Sequence, residues 1–302
     1  MFKYAFMLIG AVLAGQTLVS CTCGRTVREE FVVPDSIYKV TKRIHEDVLK
    51  DVVDNLSSPI ETASLFKSLN VPFSQKYVAT TKHLSDYNTS YSKAFSLGVF
   101  GADLGYINMY GRTSMASIYI MVMKNLADGL NIGQFFNYAT LKRLSDNDEN
   151  IDSLVYISQQ SFNKMDRYLR QSGRGNLSAI MISGVFVEAL YLSCRFYEET
   201  ANPRLAESIV EQKYLLAETV KMLSLYQSQK EVADLIAELS TIEAAFESVE
   251  IDVEKGKLEQ IAENGSLRVV QNEKTIVRYT EAQLKNIVYE IENVRNKLIN
   301  VN

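Results

Sequence analysis

Apolar residues recur along most of this chain at intervals of three and four, the period of an α-helix. From Asp35 onward, Ile37, Val40, Ile44, Val48, Val52 and Leu56 form one stripe. Ser58-Pro59-Ile60-Glu61 has the form of a capping box with proline at the first helical position, so a new helix starts there and Val71-Pro72 breaks it. Further helical patterns run over 86–111, 113–130, 133–145, 151–172 and 177–200. Gly173 and Asn176 mark the last turn, as C-terminal glycine and N-cap. Asn202-Pro203 opens another helix, reaching 227.

The C-terminal third alternates strictly between steps of three and four. Val232, Leu235, Leu239, Ile242, Phe246, Val249 and Val253 form one seam, and Leu284, Ile287, Ile291, Val294, Leu298 and Val301 form another. A seven-residue seam calls for a partner helix. Thr280-Glu281-Ala282-Gln283 caps the second helix. Between the seams, 266–279 is rich in Val and Ile and is expected to hold a small β-hairpin. The pattern as a whole predicts an all-α protein. Residues 36–200 form its main helical bundle. Residues 201–302 form an antiparallel, coiled-coil-like helical arm that packs on the bundle or extends from it.

Composition agrees with long helices. Gly and Pro together supply 18 of 302 residues, about half the usual share. Hydrophobic residues make up 47%, enough for a sizeable core. A net charge of -4 leaves no basic face of the kind nucleic-acid binders carry, so no nucleic-acid partner is expected.

The first twenty residues have the pattern expected of a leader. Lys3 precedes the apolar run Ala5 to Gly15, which is too short to span a bilayer, and the run ends in Leu18-Val19-Ser20-Cys21. This arrangement resembles the bacterial lipoprotein signal. The resemblance implies that residues 1–20 are removed, that Cys21 carries diacylglycerol and an acylated amino group, and that residues 21–35 tether the body to a membrane. Several acyl chains on one residue would anchor it stably. Thr22 stands where some lipoproteins carry an aspartate that retains them in the inner membrane, which favours the outer membrane.

Two helical runs each contain a lone acid among apolar residues. Asp103 shares a face with Val99, Tyr106 and Tyr110, in a segment where Gly98, Gly101, Ala102 and Gly105 would let another backbone approach closely. Glu188 is the one charge between Leu177 and Cys194, on a stripe with Met181, Gly184, Tyr191 and Arg195. A run of that length approaches a membrane span, but Glu188, its serines and Gly184 favour a helix buried in protein. Buried carboxylates need partners. Arg112, Arg174 and Arg195 are the candidates. The alternative is that Asp103, Tyr106, Tyr110, Glu188 and Tyr191 line a cleft for a small ligand, or that the two acids act as the pair of a glycoside hydrolase.

The other motifs carry no chemistry. Asp146, Asp148, Asn150 and Asp152 alternate like Ca²⁺ ligands, but Ile151 and Ile157 occupy positions where an EF-hand needs Gly and Glu, so a solvated turn is expected. His45 and His83 have no local partner, Cys194 sits in an apolar run, and neither a phosphate loop nor a nucleophile elbow occurs. No metal, cofactor or catalytic residue is expected.

The stretches Leu97 to Tyr106 and Gly184 to Tyr191 resemble an uncharacterised family of Gram-negative lipoproteins, and the resemblance implies no known activity. The expected function is therefore a membrane-tethered, non-enzymatic structural or interaction module with an envelope protein as partner. A small-ligand or sensor protein using the cleft near Asp103 and Glu188 is the alternative.

Overall fold

The computed structural model describes residues 66, 68–82, 84–145, 151–263 and 266–299. The leader, Cys21 and its tether, the 37–56 stripe, the capping box at 58–61, both histidines and Asp146 to Asn150 lie outside the described residues. The described chain is predominantly helical. Its helices are α1 (Ser90–Met109), α2 (Thr113–Gly129), α3 (Tyr138–Ser145), α4 (Ile151–Gln171), α5 (Gly175–Thr200), α6 (Pro203–Glu211), α7 (Lys213–Ser224), α8 (Lys230–Phe246) and α9 (Glu281–Ile299). A two-stranded hairpin, β1 (Glu250–Glu263) and β2 (Ser266–Arg278), stands between α8 and α9.

Local chemistry sets the helix boundaries. Thr89 caps α1: its hydroxyl accepts from the Ser92 N–H at 3.0 Å, and the Ser92 hydroxyl accepts from the Thr89 N–H at 3.2 Å. The Asn202 side chain caps α6 ahead of Pro203. Thr280 and Gln283 form a reciprocal box at the start of α9. Gly173 takes the left-handed conformation, with φ +75, that a helix-ending glycine allows. Asn176 is not the N-cap: α5 begins one residue earlier, and the Asn176 amide donates to Gln229 at 2.6 Å. The helix expected over 203–227 is divided at Gln212.

At the centre, α1 and α5 run in the same direction in close contact. A Cβ on Gly98 would stand 2.0 Å from the Met181 carbonyl oxygen, and one on Gly184 would stand 2.2 Å from that of Phe95. Only glycine allows this approach, which compensates for the roughly 1 kcal/mol that each costs in a helix. Gly101 meets only the Phe162 and Met123 side chains, at ordinary contact distance. Helix α5 is long and apolar enough to cross a membrane, yet 94% of its most apolar window is buried inside the protein.

Helices α8 and α9 pack on each other, and α9 also packs on α5. Val232, Leu235, Leu239 and Ile242 join Leu284, Ile287, Ile291 and Val294 in the same buried cluster as the α1 and α5 residues. The first seam ends earlier than its spacing suggests. Helix α8 stops at Phe246, and Val253 lies in β1. The 266–279 segment does not fold back on itself: 266–278 is a single strand whose antiparallel partner is 250–263, paired from Glu250↔Arg278 to Glu263↔Ser266, with a bulge between Lys255 and Leu258. The reason is visible in Glu250-Ile251-Asp252-Val253-Glu254, which alternates polar and apolar with the period of a strand.

Candidate functional site

The shared direction of α1 and α5 brings their two acids together. Asp103 lies five residues beyond Gly98 and Glu188 four beyond Gly184, so both project just past the close crossing. Neither has any exposed surface. Glu188 is answered from the far end of the chain: Arg295 of α9 donates from Nε to Oε2 at 2.8 Å and from Nη2 to Oε1 at 2.6 Å. This two-pronged geometry is the strong form of the pair. The Arg295 guanidinium also sits 4.2 Å from the centre of the Tyr191 ring. Desolvation opposes the Arg295 charge, but the Glu188 carboxylate outweighs it and holds the group above its ordinary value.

Asp103 has a different environment. Its Oδ2 accepts from the Ala79 N–H at 2.9 Å, while its buried Oδ1 meets no donor among the described residues and lies beside the Glu188 carboxylate. Burial first, and the neighbouring Glu188 charge second, hold the Asp103 carboxyl well above the usual carboxylate range; Arg295 and the Ala79 N–H pull the other way and do not prevail. Tyr119 completes the surroundings by donating to the Ala79 carbonyl at 2.6 Å.

Tyr106 and Tyr110 belong to a second cluster further along α1. The Tyr106 hydroxyl accepts from the Ser74 N–H at 2.8 Å, and Tyr110 donates to the Val71 carbonyl at 2.6 Å. Phe73 stacks on Tyr106 with ring centres 5.1 Å apart, and the Arg112 guanidinium lies 5.0 Å from the Phe73 ring centre. Together with Asp103, these tyrosines fasten residues 71–79 as a strap along α1. At its outer side Tyr77 donates to Glu199 at 2.6 Å.

The structure thus joins Asp103, Glu188 and Tyr191, and separates Tyr106 and Tyr110 from them. The three arginines named as candidate partners are occupied elsewhere. Arg112 lies on Phe73, Arg174 donates to the Leu130 carbonyl at 2.6 Å, and Arg195 pairs with Glu292 and Glu198, each at 2.9 Å. Arg295 is not among those candidates, although its place four residues after Ile291 puts it on the apolar side of α9. A third buried acid, Asp166, is held by Arg170 one turn later and by the Ser178 hydroxyl. Cys194 is fully buried and burial pushes its thiol up, which keeps it protonated and unreactive.

Among the described residues, no group of three or more His, Cys, Asp or Glu is placed to hold a metal ion. Compared with protein-family models, curated proteins and solved structures, the chain matches none.

Proposed function

We propose that this chain is a lipoprotein of the cell envelope, anchored through a lipid on Cys21, and that its helical body is a non-enzymatic structural or interaction module. The observation that carries the second half is the burial of its acids. Asp103 and Glu188 have no exposed surface and Arg295 has 6%, so these three groups face one another instead of a substrate. A small-ligand cleft between the two acids has less support for the same reason. The anchor rests on the apolar leader ending in Leu18-Val19-Ser20-Cys21. Helix α5, the one helix among the described residues that is long and apolar enough to cross a membrane, is buried in protein, which is consistent with attachment through Cys21.

Helices α8 and α9 with the hairpin are the part we assign to a protein partner, as a coiled-coil-like arm. The exposed Tyr289 on α9 supports this assignment, whereas the seam residues themselves are buried against each other and the core. The absence of an aspartate after Cys21 favours the outer membrane.

The test is direct. Wild-type protein should fractionate with membranes, resist high salt, be released by detergent, and carry acyl mass on Cys21. Cys21→Ala should lose that mass and remain unprocessed. An unmodified Cys21 in membrane-bound wild type would overturn the anchor. Affinity purification of the lipidated protein from its own envelope would then identify the partner, and recovery of the protein alone would count against the interaction role.

A further inference from the structure

Four separate pieces of chain meet at the buried acids: the strap through the Ala79 N–H, α1 through Asp103, α5 through Glu188, and α9 through Arg295. The groups here do not balance if both acids are ionised. Arg295 already gives two hydrogen bonds to Glu188, leaving the second carboxyl without a cation. Arg195 cannot serve, because it is bound to Glu198 and Glu292. The Asp103 Oδ1 atom is buried and has no donor, an expensive position for a carboxylate oxygen but a natural one for a carboxylic O–H facing a carboxylate.

We infer that Asp103, Glu188 and Arg295 form a one-proton clasp: a neutral Asp103 donates from Oδ1 to the Glu188 carboxylate, accepts from Ala79 through Oδ2, and thereby holds the strap and α9 onto α1 and α5. Removal of that proton by hydroxide yields water and a second buried carboxylate beside the first, with one guanidinium between them. The clasp then loses its hydrogen bond and gains repulsion, so the strap and α9 loosen together as the pH rises.

The other titratable groups facing this point are Tyr87, Tyr119, Tyr191 and the Arg195–Glu292 pair. Burial pushes all three tyrosine hydroxyls up, in the direction that keeps them neutral. The direction of the Asp103 shift, governed by burial, agrees with the proton assignment.

Infrared spectroscopy of the full chain in detergent reads the proton directly. At neutral pH, wild type minus Asp103→Asn should show the C=O stretch of a protonated carboxylic acid. Carboxyl-¹³C aspartate should displace that band, separating it from glutamate and from lipid esters. Raising the pH should remove it, and hydrogen exchange in 71–79 and 281–299 should accelerate by about tenfold beyond the intrinsic rise. Asp103→Asn, which keeps an acceptor and a donor, should hold both segments at the same pH. The inference fails if no such band is present at neutral pH, or if it disappears while strap and α9 protection is unchanged. Should Asp103→Asn not fold, the isotope-labelled wild-type titration decides by itself.

Discussion

Helices α5 and α9 meet the same core in opposite ways. Helix α5 is buried on nearly every side, from Leu177 to Phe196. Helix α9 is buried on one side only: Leu284, Ile287, Ile291 and Val294 face inward, while Lys285, Tyr289 and Lys297 stand in solvent. A helix sealed all round has no surface on which to place the counter-charge to an acid such as Glu188. A half-buried helix can give up one inward position to a cation and still keep its solubility and its apolar side. Arg295 is that position, and its long stem lets the guanidinium reach Glu188 while the helix remains amphipathic.

The sharpest way to break this division is to remove one charge. Arg295→Ala or Glu188→Ala should lower stability by about 3–5 kcal/mol, because each leaves a buried charge alone. The double variant Glu188→Leu with Arg295→Leu should recover most of the loss, as denaturant midpoints would show. If the single variants matched wild type, the two helices would not depend on each other as described.

Next come the glycines that let α5 lie so deep. Gly98→Ala and Gly184→Ala place a methyl against backbone and should each cost at least about 1–3 kcal/mol, since neither helix can yield by rotating a side chain. Gly101→Ala, which meets only side chains, should be far milder in the same unfolding assay. Tyr110→Phe removes one hydrogen bond to the strap and should cost about 1 kcal/mol. Proteolysis within 71–79 would report that loosening.

Asp103→Asn sharpens the contrast through pH. The folded carboxyl titrates well above its unfolded value of about 3.9. Its contribution to stability is therefore complete below that value and is lost as pH rises toward the folded pKa. Wild type should lose stability relative to Asp103→Asn across that interval, and the two pH profiles should converge in acid. The smallest effect belongs to the wet side of α9, where Tyr289→Ser should change stability by no more than about 0.5 kcal/mol.

The helices and most caps were legible because each is a local pattern: a period of three and four, a Thr or Asn before a first turn, a glycine after a last one. The need of Asp103 and Glu188 for partners was legible too, since a lone acid in an apolar run demands one. Which partner was not. Arg295 lies 107 residues from Glu188, and only the packing of α9 on α5 brings them together. The strand 250–263 was hidden by its own ambiguity, for Val249 and Val253 fit a continuing seam as well as Ile251 and Val253 fit a strand. Tyr106 and Tyr110 share a helical side with Asp103, but the strap that crosses α1 divides that side between two neighbourhoods.

The strap also has a mechanical meaning. It runs opposite to α1, so Val71 meets Tyr110, then Ser74 meets Tyr106, and Ala79 meets Asp103 and Tyr119. Tension entering from the amino-terminal side of the chain would reach these attachments one after another instead of loading them together. A molecule pulled from that side should yield in steps, shedding Val71 and Ser74 from the α1 tyrosines before Ala79 leaves the Asp103 carboxyl. The outer tyrosines would then act as a fuse, absorbing modest force while the buried acids stay undisturbed.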